Sequence, residues 1–132
     1  MNILIVDGQG GGIGRQLIEA LRERLPEAEI TAVGTNAFAT SAMLKAGARR
    51  AATGENAAIV ASRAADVIAG PVGIVIADAL MGEVTPAMAV AVAQSRARKV
   101  LIPVNQCDNF VVGVPELSTS MLVGQAVEKI LG

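Results

Sequence analysis

Residues 8–14 read Gly-Gln-Gly-Gly-Gly-Ile-Gly, and what flanks this run of five glycines constrains the fold more than any other feature of the chain. Before it, residues 2–6 form an apolar run rich in Ile and Val that stops at Asp7-Gly8, the pattern of a strand buried on both faces. After it, Ile13, Leu17, Ile18, Leu21 and Leu25 recur at helical spacing. Arg15, Gln16, Glu19, Arg22 and Glu23 fill the opposite face, and Pro26 closes the helix. Strand, glycine loop and helix in that order place flexible backbone at a helix N-terminus, where unpaired N–H groups and the positive end of the helix dipole suit a phosphate.

The same alternation runs on. Residues 29–34 read as a second strand, and Thr35 or Asn36 can cap a helix over 37–46, with Gly47 where a left-handed residue is wanted. Residues 49–53 form a short third strand ending at Gly54-Glu55-Asn56, and Asn56 can cap a helix over 57–65. A fourth strand over 66–69 ends in Gly70-Pro71. Residues 72–81 suit helix or strand, and helix is the reading adopted. Thr85-Pro86, a cap followed by proline at the first helical position, introduces a helix over 87–95. Residues 99–104 and 110–114 read as fifth and sixth strands and 118–131 as a closing helix. Such a chain predicts one domain over 1–132: a Rossmann-like, doubly wound α/β fold. Its sheet is mostly parallel, with about six strands in the order 3-2-1-4-5-6 and helices on both faces. Ligands of such sheets bind outside the carboxyl ends of the strands, where the strand order reverses.

Composition removes whole classes of chemistry. Among 132 residues there is no His, Tyr or Trp and a single Cys, so Ser-His-Asp or Cys-His catalysis and His-ligated metals are excluded within the chain. Eleven Lys and Arg balance 12 Asp and Glu, with no basic stripe for nucleic acid or a membrane surface. The N-terminus lacks a basic leader segment, and the longest charge-free apolar stretch, residues 67–77, falls short of the roughly 20 residues that span a bilayer. A cytoplasmic protein with a reduced thiol is the expectation.

The glycine spacing departs from G-x-G-x-x-G, because Ile13 stands where the third glycine belongs, and from the Walker A pattern, because Gly14-Arg15-Gln16 replaces Gly-Lys-Ser/Thr. Gly8, Gly12 and Gly14 have the G-x-x-x-G-x-G spacing of short-chain dehydrogenases, and Gly8, Gly11 and Gly14 that of their extended relatives. The first half of the chain resembles those enzymes, which implies NAD or NADP at the loop. Their Tyr and Lys pair has no counterpart here, so their reaction is not implied. Nor does Gly34-Thr35-Asn36 supply the acidic residue or Arg that selects NAD or NADP at the end of the second strand. The segments at 5–14, 34–37, 52–57 and 70–75 together resemble a small bacterial family of uncharacterised single-domain proteins, which implies a Rossmann-like fold and no established activity.

The candidate cofactor-binding residues are therefore Asp7, Gly8, Gln9, Gly10, Gly11, Gly12, Ile13 and Gly14 in the loop. Thr35, Asn36, Thr53, Gly54, Glu55, Asn56, Gly70 and Pro71 join them at the next three strand ends. Taken singly, the polar ones read as helix caps and turns; taken together they converge on one crevice. Asp7 repels a phosphate unless a cation or hydroxyl intervenes, or else it satisfies N–H groups of the loop. Asn105, Gln106, Cys107 and Asp108 follow the fifth strand toward the same edge, and Cys107 lacks a His to activate it. Asp78, Glu83, Arg49 and Arg50 read as solvated surface. The helix over 87–95 is apolar nearly all round, which favours burial in an isologous homodimer. Two functions follow: a site for a phosphate-bearing small molecule, a nucleotide or dinucleotide such as NAD or NADP, serving sensing, regulation or cofactor chemistry; or a self-associating structural module whose loop binds nothing.

Overall fold

The computed structural model of the protein describes residues 1–104 and 109–132. Five strands, β1 (Asn2–Asp7), β2 (Glu29–Gly34), β3 (Arg50–Thr53), β4 (Val67–Pro71) and β5 (Arg98–Ile102), form one all-parallel sheet in the order β3-β2-β1-β4-β5. The helices are α1 (Gly12–Arg24), α2 (Ala37–Lys45), α3 (Glu55–Ala64), α4 (Pro86–Gln94) and α5 (Thr119–Leu131). Consecutive residues of β1 point to opposite faces. Ile3 and Ile5 pack with Leu17, Ile18, Leu21, Met43, Val127 and Ile130 of α1, α2 and α5. Leu4 and Val6 pack with Ala58, Ile74, Met88 and Val92 of the α3 and α4 side. Both sheet faces are therefore covered, as a parallel sheet requires.

The architecture agrees with the sequence except in three places. The expected sixth strand does not form: residues 110–114 carry no strand, and Phe110 and Val112 stand 90% and 96% exposed. Val and Phe favour extended backbone, but composition alone does not make a strand, and no described residue pairs with the outer edge of β5, which ends the sheet. The expected helix over 72–81 is a single 3-10 turn, Val72–Val75, followed by a tight loop in which Asp78, Leu80, Met81 and Gly82 all have positive φ. The cap of α3 also differs. Gly54 is its N-cap, and Asn56 lies within the first turn beside Glu55. Asn36, Thr85 and Ser118 cap α2, α4 and α5 through their side chains, accepting from Ala39, Met88 and Met121 N–H groups.

Charge is sorted between the two edges of the sheet. Arg22, Arg24, Lys45, Arg63 and Lys129 lie in the last turns of their helices, where cations favour the dipole, and Arg49, Arg50, Arg98 and Lys99 lie at strand starts. All lie toward the amino edge, with Glu29, Asp66 and Glu128 among them, and Arg15, at the start of α1 and paired with Glu19, is the exception. The connections at the carboxyl edge, residues 8–11, 35–36, 54, 72–85 and 103–118, contain no Lys or Arg, while Asp7, Glu55, Asp78, Glu83 and Glu116 lie in or beside them. No helix among the described residues is long and apolar enough to cross a membrane.

Candidate functional site

The glycine loop sits at the carboxyl edge between β1 and α1, where the chain leaves β1 toward β2 while β4 lies on the other side. Its glycines divide by what surrounds them. A Cβ on Gly8 would collide with Thr35 Oγ1 and stand 2.8 Å from Glu83 Oε1 and Leu80 Cδ1. A Cβ on Gly14 would strike the Met43 thioether and approach Asp7 to 3.1 Å, and Gly11 holds φ at 73° against the backbone of Ala39. These three positions are glycine because the fold packs against them. Gly10 and Gly12 have nothing within 4 Å of a built Cβ and no left-handed φ, and no described hydrogen bond uses either N–H. Intramolecular packing gives no reason for glycine at either position.

Asp7, only 4% exposed, resolves its own ambiguity: Oδ1 accepts from the Gly8 N–H at 2.8 Å and Oδ2 from the Gly14 N–H at 2.7 Å. It braces the loop from beneath. Burial raises its pKa, opposed by hydrogen bonds from Gly14, Gly8 and Ile13 and reinforced by the nearby charge of Glu83.

Glu83, read from sequence as surface, is the residue that ties the crevice together. The loop over 76–84 carries it across to the ends of β1 and β2, where Oε1 accepts from the Gln9 N–H at 2.8 Å, Thr35 Oγ1 at 2.6 Å and Asn36 Nδ2 at 2.8 Å. Burial opposes its ionisation, but the bonds from Thr35, Gln9 and Asn36 outweigh it and lower the pKa. Asn36 completes the clamp, donating also to the Gln9 carbonyl at 2.9 Å and capping α2. No sequence pattern marks Glu83, because its partners lie 47 to 74 positions away. A clue did exist in the lack of any acid at the end of β2.

The remaining candidates separate from this centre. Thr53 bonds Thr40 at 2.6 Å on the edge strand, the Gly54 N–H donates to the Gly34 carbonyl, and Glu55 accepts from Thr85 Oγ1 at 2.5 Å. Asn56 is exposed on α3. Gly70 and Pro71 are buried at the end of β4, in register with Leu101 and Ile102, and a Cβ on Gly70 would strike the Val6 carbonyl of β1. Beyond Ile13, on the far side of α1, a groove of about 490 Å³ is lined by Pro103, Val104, Phe110, Val114 and Leu122 among others. Asn105, Gln106, Cys107 and Asp108 lie outside the described residues, and among those described no cluster of ligating side chains could hold a metal ion.

A family model described as Domain of unknown function (DUF3842) matches residues 2–132. No curated protein matches the chain. Among solved structures the chain is similar to a dodecameric FMN-dependent Ubix-like decarboxylase from Escherichia coli O157:H7. That match has 20% sequence identity and a TM-score of 0.46, and covers 97% of this chain and 75% of that one.

Proposed function

The chain belongs to the DUF3842 family along residues 2–132, and from the site it carries we propose that it binds a nucleotide or dinucleotide at the carboxyl edge of its sheet. One observation carries this reading: Gly10 and Gly12 are open, with N–H groups unused by the described residues and no packing need for glycine. Gly12 is moreover the first residue of α1, where alanine would favour the helix by up to about 1 kcal/mol. Glycine there lets a phosphate approach the backbone. Gly8, Gly11 and Gly14 hold the loop in shape, Asp7 braces it, and Thr35, Asn36 and Glu83 bound the sugar side. Thr53, Gly54, Glu55 and Asn56 form an outer wall, and the groove beyond Ile13 is of a size for a second ring system. NAD or NADP suits this layout, acting within residues 1–132 as one unit. With no His or Tyr in the chain, a cofactor can supply chemistry that these side chains would otherwise provide.

Thermal unfolding with NAD, NADP, ATP, S-adenosylmethionine and coenzyme A tests the reading. A true ligand at 100 times its dissociation constant stabilises the fold by about 2.7 kcal/mol. A Gly10→Val, Gly12→Val double variant should melt like the parent when empty and lose that response. A parent indifferent to every nucleotide, or a double variant that responds in full, rules the site out.

A second reading has its own observation. Val90, about half exposed, lies with Ile59 and Ala91 in a groove between α3 and α4, and Val60, equally exposed, lines the neighbouring groove beside β3. A second copy of the chain covering that surface would make the protein a homodimer with or without a ligand.

A further inference from the structure

Dinucleotide-binding sheets commonly place a carboxylate at the end of the second strand, where it accepts the hydroxyls of a ribose. Here that position, Gly34-Thr35-Asn36, has no acid. The structure fills it from elsewhere, since Glu83 is bonded to Thr35 and Asn36 through one oxygen. Three donors occupy Oε1, while no described hydrogen bond uses Oε2, an acceptor with two lone pairs. Delivering this carboxylate is costly. Asp78, Leu80 and Met81 adopt left-handed backbone, each about 1 kcal/mol or more above its relaxed state. The loop is closed by Asp78 N–H to Val84 O at 2.7 Å, Val84 N–H to Ala79 O at 3.1 Å and Glu83 N–H to Leu80 O at 3.1 Å. Strain held this firmly beside an open loop is a pointer to function.

We propose that Glu83 is the specificity determinant of the site, its Oε2 accepting the free 2′,3′-diol of a ribose and its charge rejecting a ribose that carries a 2′-phosphate. The proposal rests on the nucleotide-binding reading and narrows it: the ligand is NAD-like rather than NADP-like. A second observation supports the rejection. Recognition of a 2′-phosphate calls for a cation, the carboxyl-edge connections contain no Lys or Arg, and Arg15, just inside α1, is already paired with Glu19 at 2.9 Å. An added phosphate would meet Glu83 with no counter-charge in those connections, a like-charge approach that costs affinity. The opposite role for Glu83 is a plug that occupies the place of a ligand oxygen among the same three donors, and it makes the opposite prediction.

Calorimetric titration of the parent and of Glu83→Gln with NAD and with NADP separates these cases. The parent should bind NAD about tenfold or more tighter than NADP. Glutamine keeps the length of the side chain and an oxygen for the three donors but loses the anionic acceptor. Glu83→Gln should therefore weaken NAD, spare NADP and bring their ratio toward one. If the parent binds NADP as tightly as NAD, the role of Glu83 falls while the nucleotide site stands, and that comparison needs no variant. If Glu83→Gln tightens both ligands equally, Glu83 is a plug and the proposal is wrong. If neither ligand binds the parent, the nucleotide reading and this inference fall together.

Discussion

At the scale of single residues, two carboxylates a few ångströms from the same loop are set in opposite directions, and each leaves its own mark on stability. Asp7 has a raised pKa in the folded protein, chiefly through burial, so the folded state holds the proton more tightly than an unfolded chain titrating near 3.8. Its contribution is most favourable at low pH and declines as pH rises from 3.8 through the raised folded value. Glu83 has a lowered pKa, because the bonds from Thr35, Gln9 and Asn36 overcome its desolvation. Its contribution is in place above 4.5 and is lost as pH falls through the lowered folded value. Carboxyl NMR titration should show Asp7 titrating above and Glu83 below the ordinary value for its type. In Asp7→Asn the melting temperature should lose the decline that Asp7 imposes above 3.8. That variant should also be less stable in acid by about 1–3 kcal/mol, since an amide NH₂ cannot accept from either the Gly8 or the Gly14 N–H.

At the scale of elements, the connection between β4 and α4 is the part of the chain under most strain. Met81 is 92% exposed with φ at 56°, so its side chain contributes little packing to offset the left-handed backbone. Met81→Gly should raise stability by up to about 1 kcal/mol in a denaturant melt, with Glu83 still seated on Thr35 and Asn36. Leu80 has the same backbone sign but is buried, and Leu80→Gly should destabilise. The strain also explains what could be read in advance. The strand of residues 2–6 and the helix behind the glycines were legible because their signals are local: β-branched runs, 3.6-residue spacing, Pro26. Asn36 and Thr85 were legible as caps for the same reason. The loop over 76–84 was not, because Ile, Val, Ala and Leu there have helical composition while their backbone is set by Leu80 burial and the long reach of Glu83. Residues 110–114 misled in the other direction, having strand composition yet lying exposed and leaving the outer edge of β5 unpaired. Within the site, the glycine positions were visible, but which of them serve packing and which lie open depended on Met43, Ala39 and Leu80, which no spacing rule connects to them.

At the scale of the molecule, the two sheet faces are not covered equally. Three helices lie on one face, while α3, α4 and the connection between β4 and α4 cover the other, which leaves Thr31, Val33, Arg50 and Ala52 lining an apolar groove next to α3. A stable interface needs about 800 Å² from each partner, and the outer sides of α3 and α4 form the apolar surface nearest that groove. Light scattering should report a dimer, and Val90→Glu, which places a charge at a half-exposed position of α4, should return it to monomer without lowering the melting temperature of the monomer. A monomeric parent would remove the second copy from the description.

The sorting of charge between the edges of the sheet reaches beyond the surface of the protein. With the cations other than Arg15 gathered toward strand starts and helix ends, and the carboxyl-edge connections free of them, the molecule is a dipole despite a net charge of only -1. Over a Debye length of about 8 Å in physiological salt, an approaching anion is slowed by that field rather than steered in. A nucleotide therefore crosses an acidic rim before it meets the favourable N-terminus of α1 at the glycine loop. Added salt should speed its capture, the reverse of what most phosphate-binding surfaces do, and a nucleotide of low net charge gains entry over a polyphosphate before any contact is made.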